Sequence, residues 1–169
     1  MISLRPVRPE DVEHLARWRN DAEAAGEFQW YGFGSTQHFR EQVANDALID
    51  ADGGTLAVVE GDTLVGDVSW RRVQTGALAH SWCWNIGVIV LAQHRGKGYG
   101  TAAQRMLTEY LFQHTPVERI DASTDVDNVA EQRALEKSGF TREGVSRRFM
   151  WQGGRWRDYV VYSKLRGEP

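Results

Sequence analysis

Apolar and polar positions recur along this 169-residue chain in runs that predict its elements in turn. Ile2-Ser3-Leu4-Arg5-Pro6-Val7 alternates with a period of two, the pattern of a short strand. From Pro9 the apolar positions Val12, Leu15, Ala16 and Trp18 follow at helical spacing, and Glu10 and Asp11 sit where acidic groups suit the helix dipole. Asn20 to Gly34 has no clear period; Gly26, Gly32 and Gly34 interrupt it, and Phe28, Trp30, Tyr31 and Phe33 crowd it. A second helix is predicted over Thr36 to Ala47, with Ser35 as its cap. After a turn at Asp50 to Gly54, strands over Thr55 to Val59 and Thr63 to Trp70 flank the hairpin turn Glu60-Gly61-Asp62. A loop near Gln74 to Ala79 leads to a strand over Ser81 to Val90.

The clearest change of period follows. The apolar run Ile86, Val88, Ile89, Val90, Leu91 gives way to Arg95-Gly96-Lys97-Gly98-Tyr99-Gly100, and then to a helical pattern through Ala103, Met106, Leu107, Tyr110 and Leu111. Thr115-Pro116 ends that helix. A strand is predicted over Arg119 to Thr124 and a helix from Asn128 to Lys137, with Gly139 as a left-handed C-cap and Phe140 packing back. Strands over Arg142 to Trp151 and Trp156 to Tyr162 surround the turn Gln152-Gly153-Gly154. No repeat, linker or low-complexity stretch divides the chain. The expectation is one α/β domain over residues 1–169, a mixed sheet with helices on its faces.

Composition narrows the classes. A net charge of −3 argues against a nucleic-acid partner. No apolar run reaches membrane length and the N-terminus lacks a signal-like apolar core, so a cytoplasmic protein without a membrane partner is expected. Cys83 is the single cysteine, which excludes an internal disulfide; between Trp82 and Trp84 it reads as inert packing. No metal is expected.

The order strand, glycine-rich turn, helix carries chemistry. Glycines let successive N–H groups point one way, and a helix start adds unpaired donors and the positive end of its dipole. That combination suits phosphate or pyrophosphate, a plain flexible turn being the alternative. Gly96-x-Gly98-x-Gly100 is neither the dinucleotide fingerprint nor a triphosphate loop.

Arg95, Gly98 and Gly100 resemble R/Q-x-x-G-x-G/A, the coenzyme A pyrophosphate loop of the GNAT N-acetyltransferase superfamily. Asn128-Val129-Ala130 with Leu135-Glu136-Lys137-Ser138-Gly139-Phe140 is similar to that family's N-x-A…L-E-K-x-G-F block. Arg5-Pro6…Asp11, Trp18-Arg19-Asn20-Asp21, Glu143-Gly144 and Gly153-Gly154-Arg155-Trp156-Arg157-Asp158 with Tyr162 resemble its ribosomal-protein alanine N-acetyltransferase branch. The resemblance implies a mostly antiparallel mixed sheet whose splayed strand pair holds acyl-CoA. It implies acetyl transfer from acetyl-CoA to a primary amine by direct attack. Backbone groups of Ile89 and Val90 would pair with pantetheine, residues Arg95, Gly96, Lys97, Gly98, Tyr99 and Gly100 would hold the pyrophosphate, and Asn128 would bond the pantetheine arm. Asn128 also reads as an N-cap, with Glu131 completing a capping box.

The acceptor groove implied by the family is formed by the segment between the first two helices and by the final hairpin. Phe28, Trp30, Tyr31 and Phe33 are therefore candidate acceptor contacts, with core packing the alternative. Final hairpins in the family also suggest a homodimer. Three positions depart from the family pattern. Leu135 stands where many members have a Tyr acid, Glu131 where the branch often has Ser, and Asn85 where relatives carry a Glu base. Glu131 and Asn85 stay catalytic candidates; Glu131 can donate a proton only if burial raises its pKa, and Asn85 cannot accept one. Water, Tyr159, Tyr162, Asp158, Glu27 or His80 could substitute. The alternative function is a coenzyme A binding module without efficient transfer.

Overall fold

The computed structural model describes residues 1–45 and 48–169. Its strands are β1 (Ile2–Pro6), β2 (Ile49–Asp50), β3 (Gly53–Glu60), β4 (Thr63–Gln74), β5 (Trp82–Val90), β6 (Arg119–Asp125), β7 (Thr141–Gln152) and β8 (Arg155–Leu165). Its helices are α1 (Pro9–Arg19), the single turn α2 (Ala22–Ala25), α3 (Thr36–Ala44), α4 (Tyr99–His114) and α5 (Val129–Lys137). The strands form one sheet in the order β1-β3-β4-β5-β6-β8-β7, with β2 pairing β3. Every neighbouring pair is antiparallel except β5–β6.

Local chemistry explains most element ends. Ser35 Oγ accepts the His38 N–H at 3.1 Å and starts α3 where the sequence predicts it. The predicted end of that helix at Ala47 lies outside the described residues. The one turn of α2 was not predicted; Asp21 Oδ1 accepts the N–H groups of Glu23 and Ala24 at 3.0 Å each and nucleates it inside the aperiodic stretch. Gly139 takes the expected left-handed φ of +85°, its N–H reaches Glu136 O, and Phe140 is buried against the core. β3 begins earlier than its alternation suggests because Gly54 lies under the Trp70 ring. A Cβ there would fall 2.3 Å from the ring, so only glycine lets the two strands pair that far.

Alternation divides β5 between two layers. Trp84 and Ile86 are buried with Val58, Val68 and the α4 residues Ala103, Leu107 and Leu111, and Leu135 of α5 joins them. Ile89 belongs to a second cluster, with Trp18 of α1, Ala25 of α2 and Leu91. Trp82 and Trp84 are thus packing residues, edge to face at 4.9 Å, and Trp84 Nε1 donates to Thr115 Oγ1 at 3.1 Å. No helix among the described residues is long and apolar enough to cross a membrane.

The feature that positions the site is a failure of pairing. Among the described residues β5 and β6 pair only at Trp84–Ile120 and Asn85–Asp121. Beyond that, β5 stays on β4 as far as Val90, while β6 stays on β8 as far as Asp125. The two strands open into a V whose β5 edge, from Ile86 onward, has no strand partner on the β6 side.

Candidate active site

A cleft of about 550 Å³ fills the V, lined by Val88 to Val90, the glycine turn, α5 and residues 25–29 after α2. Gly96 and Gly98 both hold a φ of +78°, the left-handed region that favours glycine. Nothing lies within 4 Å of where their Cβ atoms would be. Gly98 caps α4 without a capping side chain, so the N–H groups of the first turn stay open at the positive end of a 16-residue helix. Lys97 Nζ lies 6.0 Å from the Tyr99 ring centre, and Tyr99 donates its hydroxyl to Glu60 at 2.5 Å. The Arg95 guanidinium is taken up by carbonyls: Nε donates to Val90 O at 3.0 Å and Nη2 to Ala24 O and Ala25 O at 2.9 and 3.1 Å.

On the facing arm Asn128 caps α5, its Oδ1 accepting the Glu131 N–H at 3.3 Å. The capping box read from the sequence is only half made. The Asn128 N–H goes to Asp125 O at 2.9 Å, and the Glu131 carboxylate turns instead to Nε2 of Gln104 on α4. Burial pushes the Glu131 carboxyl up to about 7, against the opposing pull of the Gln104 hydrogen bond. A half-buried carboxyl that changes charge near neutrality therefore faces the cleft.

A second cavity, about 610 Å³, is lined by Asn85, Ile86 and Gly87 of β5, with Ser69 and Arg71 of β4, Arg19, Phe39, Asp50 and Asp52. Consecutive β5 residues thus serve consecutive cavities: 85–87 the groove and 88–90 the cleft. The change from one to the other falls just past the point where β6 departs. Asn85 sits at that fork, its Oδ1 accepting from Arg71 Nε at 3.3 Å and its Nδ2 donating to Asp121 O at 3.4 Å. Arg19 stacks 4.4 Å over the Phe39 ring and reaches Asp67 Oδ2 at 3.4 Å. Burial raises the Asp67 carboxyl, which Arg19 opposes.

This geometry agrees with comparison to known proteins. The family described as acetyltransferase (GNAT) domain matches residues 2–141. The chain belongs to that family. It is 36% identical over 104 residues to Probable N-acetyltransferase YjcK of Bacillus subtilis (strain 168), a stretch covering 62% of this chain and 56% of that protein. The match to YjcK therefore spans little more than half of that relative. It is 27% identical over 174 residues to YdaF of the same organism, provisionally named a ribosomal N-acetyltransferase, covering 99% of this chain and 92% of YdaF. The crystal structure of spermidine N-acetyltransferase from Vibrio cholerae in complex with CoA and spermine superposes with a TM-score of 0.83 at 19% identity, over 99% of this chain and 96% of that one. That likeness concerns the fold.

Within this GNAT fold the four candidate acceptor aromatics do not line one cavity. Phe28 lines the cleft, not the groove. Trp30 packs against the Trp18 cluster, edge to face with Phe33 at 5.2 Å. Tyr31 and Phe33 line neither cavity and are 59% and 85% exposed. The groove's aromatics are Phe39 and Trp70. The substitute proton carriers disperse as well. Tyr162 is buried with its hydroxyl on Glu136, Tyr159 is buried against Phe149, Asp158 accepts the Arg148 N–H, and His80 is exposed. Glu27 lines the cleft but accepts from Arg157 at 2.8 Å. Burial, then Asp121, pushes the Cys83 thiol up to about 12, so it is inert as expected.

Sequence reasoning missed Arg133 and Lys137, which line the cleft from α5. Their spacing of four places them on one helix face. Gln104 and Arg71 gave no local signal.

Proposed function

We propose that this chain moves an acetyl group from acetyl-CoA to a primary amine by direct attack. The observation that carries this reading is the succession of groove and cleft along β5, at residues 85–87 and 88–90, beside the fork where β6 leaves β5. One cavity supplies a backbone edge and open N–H groups; the other opens on the preceding residues of the same strand. Val88, Ile89 and Val90 would hold the pantetheine arm as an added strand. The N–H groups of Gly96 to Gly100, with Lys97, would hold the pyrophosphate. Arg133 and Lys137 add positive charge to the α5 side of the same cleft. Acetyl-CoA supplies an activated thioester, so no nucleophile on the protein is required.

The protein must then handle protons. The amine must arrive neutral, the carbonyl oxygen needs a donor, and the departing sulfur needs a proton. Glu131 is the proton donor best supported, since it is half-buried, faces the cleft and is held partly protonated near neutrality. Asn85, fixed between Arg71 and Asp121 O, would orient the amine or a water that accepts its proton. Asp50 and Asp52 share the groove with Arg19 and Arg71, so its formal charges balance, and the acceptor classes to test are a polyamine, an amino sugar and a protein N-terminus. A homodimer fits the exposed Val145, Phe149 and Trp151 on β7, the strand at one end of the sheet order.

Coenzyme thiol release, measured with acetyl-CoA and a panel of polyamines, aminoglycosides and alanine-, serine- and methionine-initiated peptides, tests the proposal. Turnover with any of these supports transfer. Tight acetyl-CoA binding with no release across the panel would leave a binding module, the reading that Asn85 in place of a basic carboxylate favours.

A further inference from the structure

Arg95 opens the glycine turn and lines the cleft, yet its guanidinium is taken up by backbone. Three carbonyls hold it: Val90 O at the end of β5, and Ala24 O and Ala25 O at the end of α2. Gly26 follows directly, with a φ of +79°, and a Cβ there would sit 3.5 Å from Arg95 Nη1. The arginine thus packs on the bend where the chain leaves α2. From that bend Glu27, Phe28 and Gln29 run along the cleft as part of its wall. The far end of this strap is fastened to the other arm of the V. Buried Arg157 of β8 donates to Glu27 Oε1 at 2.8 Å and to Asp125 Oδ2 at 3.1 Å, and Gln152 Nε2 donates to Trp30 O at 3.1 Å.

One strap is therefore pinned to both arms, by Arg95 on the β5 side and by Arg157 on the β6 side. We infer that Arg95 is a positioning residue that fixes the strap of residues 22–30 over the cleft, and is not a ligand of the coenzyme's phosphates. The inference rests on the reading of the cleft as the acyl-CoA site. Its physical basis is the planar guanidinium fork, which serves several carbonyls from different segments at once; an ammonium on a flexible stem cannot hold the same geometry. Charge and fork make opposite predictions here. A phosphate ligand is partly replaced by lysine, because the charge survives. A strap anchor is not.

Hydrogen exchange of the 22–30 segment, combined with calorimetric titration of acetyl-CoA, separates the two roles in Arg95→Ala and Arg95→Lys. Both variants are expected to raise strap exchange in the coenzyme-free protein about tenfold or more. Exchange in α4 should stay at its wild-type rate, and acetyl-CoA affinity within about threefold of wild type. A loss of affinity beyond tenfold with unchanged strap exchange, rescued by lysine, would overturn the inference in favour of a phosphate contact. Unchanged exchange and unchanged affinity would overturn it too. Failure of the wild-type protein to bind acetyl-CoA would instead sink the reading of the cleft, and the coenzyme-free exchange data would still score the strap.

Discussion

On the proposed reading, the two arms of the V would recognise a ligand by different means. The β5 arm offers backbone: an unpaired strand edge at Val88 to Val90 and the open N–H groups around Gly98. The α5 arm offers side chains: Asn128, Glu131, Arg133 and Lys137. Backbone recognition depends on φ angles and on which strand does not pair, so it tolerates changes of side chain but not of glycine. Side-chain recognition depends on what neighbours do to each group. Glu131 would be an ordinary carboxylate on an isolated helix; burial between α5 and α4 pushes it up to about 7, against the hydrogen bond from Gln104. The fold can keep the first arm and retune the second.

The α5 arm gives the largest expected effect. Glu131→Gln should lower kcat on the order of a hundredfold or more if Glu131 protonates the leaving sulfur. In the wild type, kcat should fall as pH rises through about 7, where the carboxyl loses its proton; the variant should lose that limb. Stability carries the same sign. The native pKa of about 7 lies above the ordinary 4.5, so the native state keeps a proton that the unfolded chain gives up. That contribution is full below pH 4.5 and lost as pH rises through about 7, so denaturant melts of the variant should lack this decline. An unaltered pH–rate profile in Glu131→Gln would remove Glu131 from the chemistry and reduce the α5 arm to binding.

The β5 arm comes next. Gly98→Val places a β-branched residue at a φ of +78°, at a cost of about 1–3 kcal/mol, so acetyl-CoA affinity should fall by up to about a hundredfold in a calorimetric titration. Undiminished affinity would mean that the turn is only a turn. A smaller change sharpens the contrast within α5. Replacing Arg133 and Lys137 together by Ala should weaken acetyl-CoA binding by about tenfold at low salt and by less at high salt, because exposed charges are screened. The smallest effect falls on the aromatics that the sequence put forward. Phe33→Ala should change acceptor KM by less than about twofold and stability by less than about 0.5 kcal/mol, as for other exposed sites. A large rise in KM would restore Phe33 as an acceptor contact.

Much of this contrast is legible along the chain. The glycine turn, the N-cap at Asn128 and the C-cap at Gly139 are local events, set by residues within a few positions of one another. They fall where residue types alone predict. The aromatic cluster at 28–33 is legible only as a cluster. Density of aromatics is visible in a sequence, but the cavity that each faces is not. Trp30 turns into the Trp18 cluster, and the second cavity is lined by Phe39, Ser69, Arg71 and Asn85, residues far apart in sequence.

The sequence by itself determined the order of elements, the glycine turn and the family, because each rests on short-range periodicity, on backbone freedom at glycine or on a local motif. Tertiary structure alone decided the width of the V, the side to which Arg95 turns, and the charge state of Glu131. Each of these depends on which distant segment arrives next to it. Those distant neighbours bring the hydrogen bonds and the loss of water that redirect a guanidinium or raise a carboxyl's pKa, and no spacing along the chain encodes them.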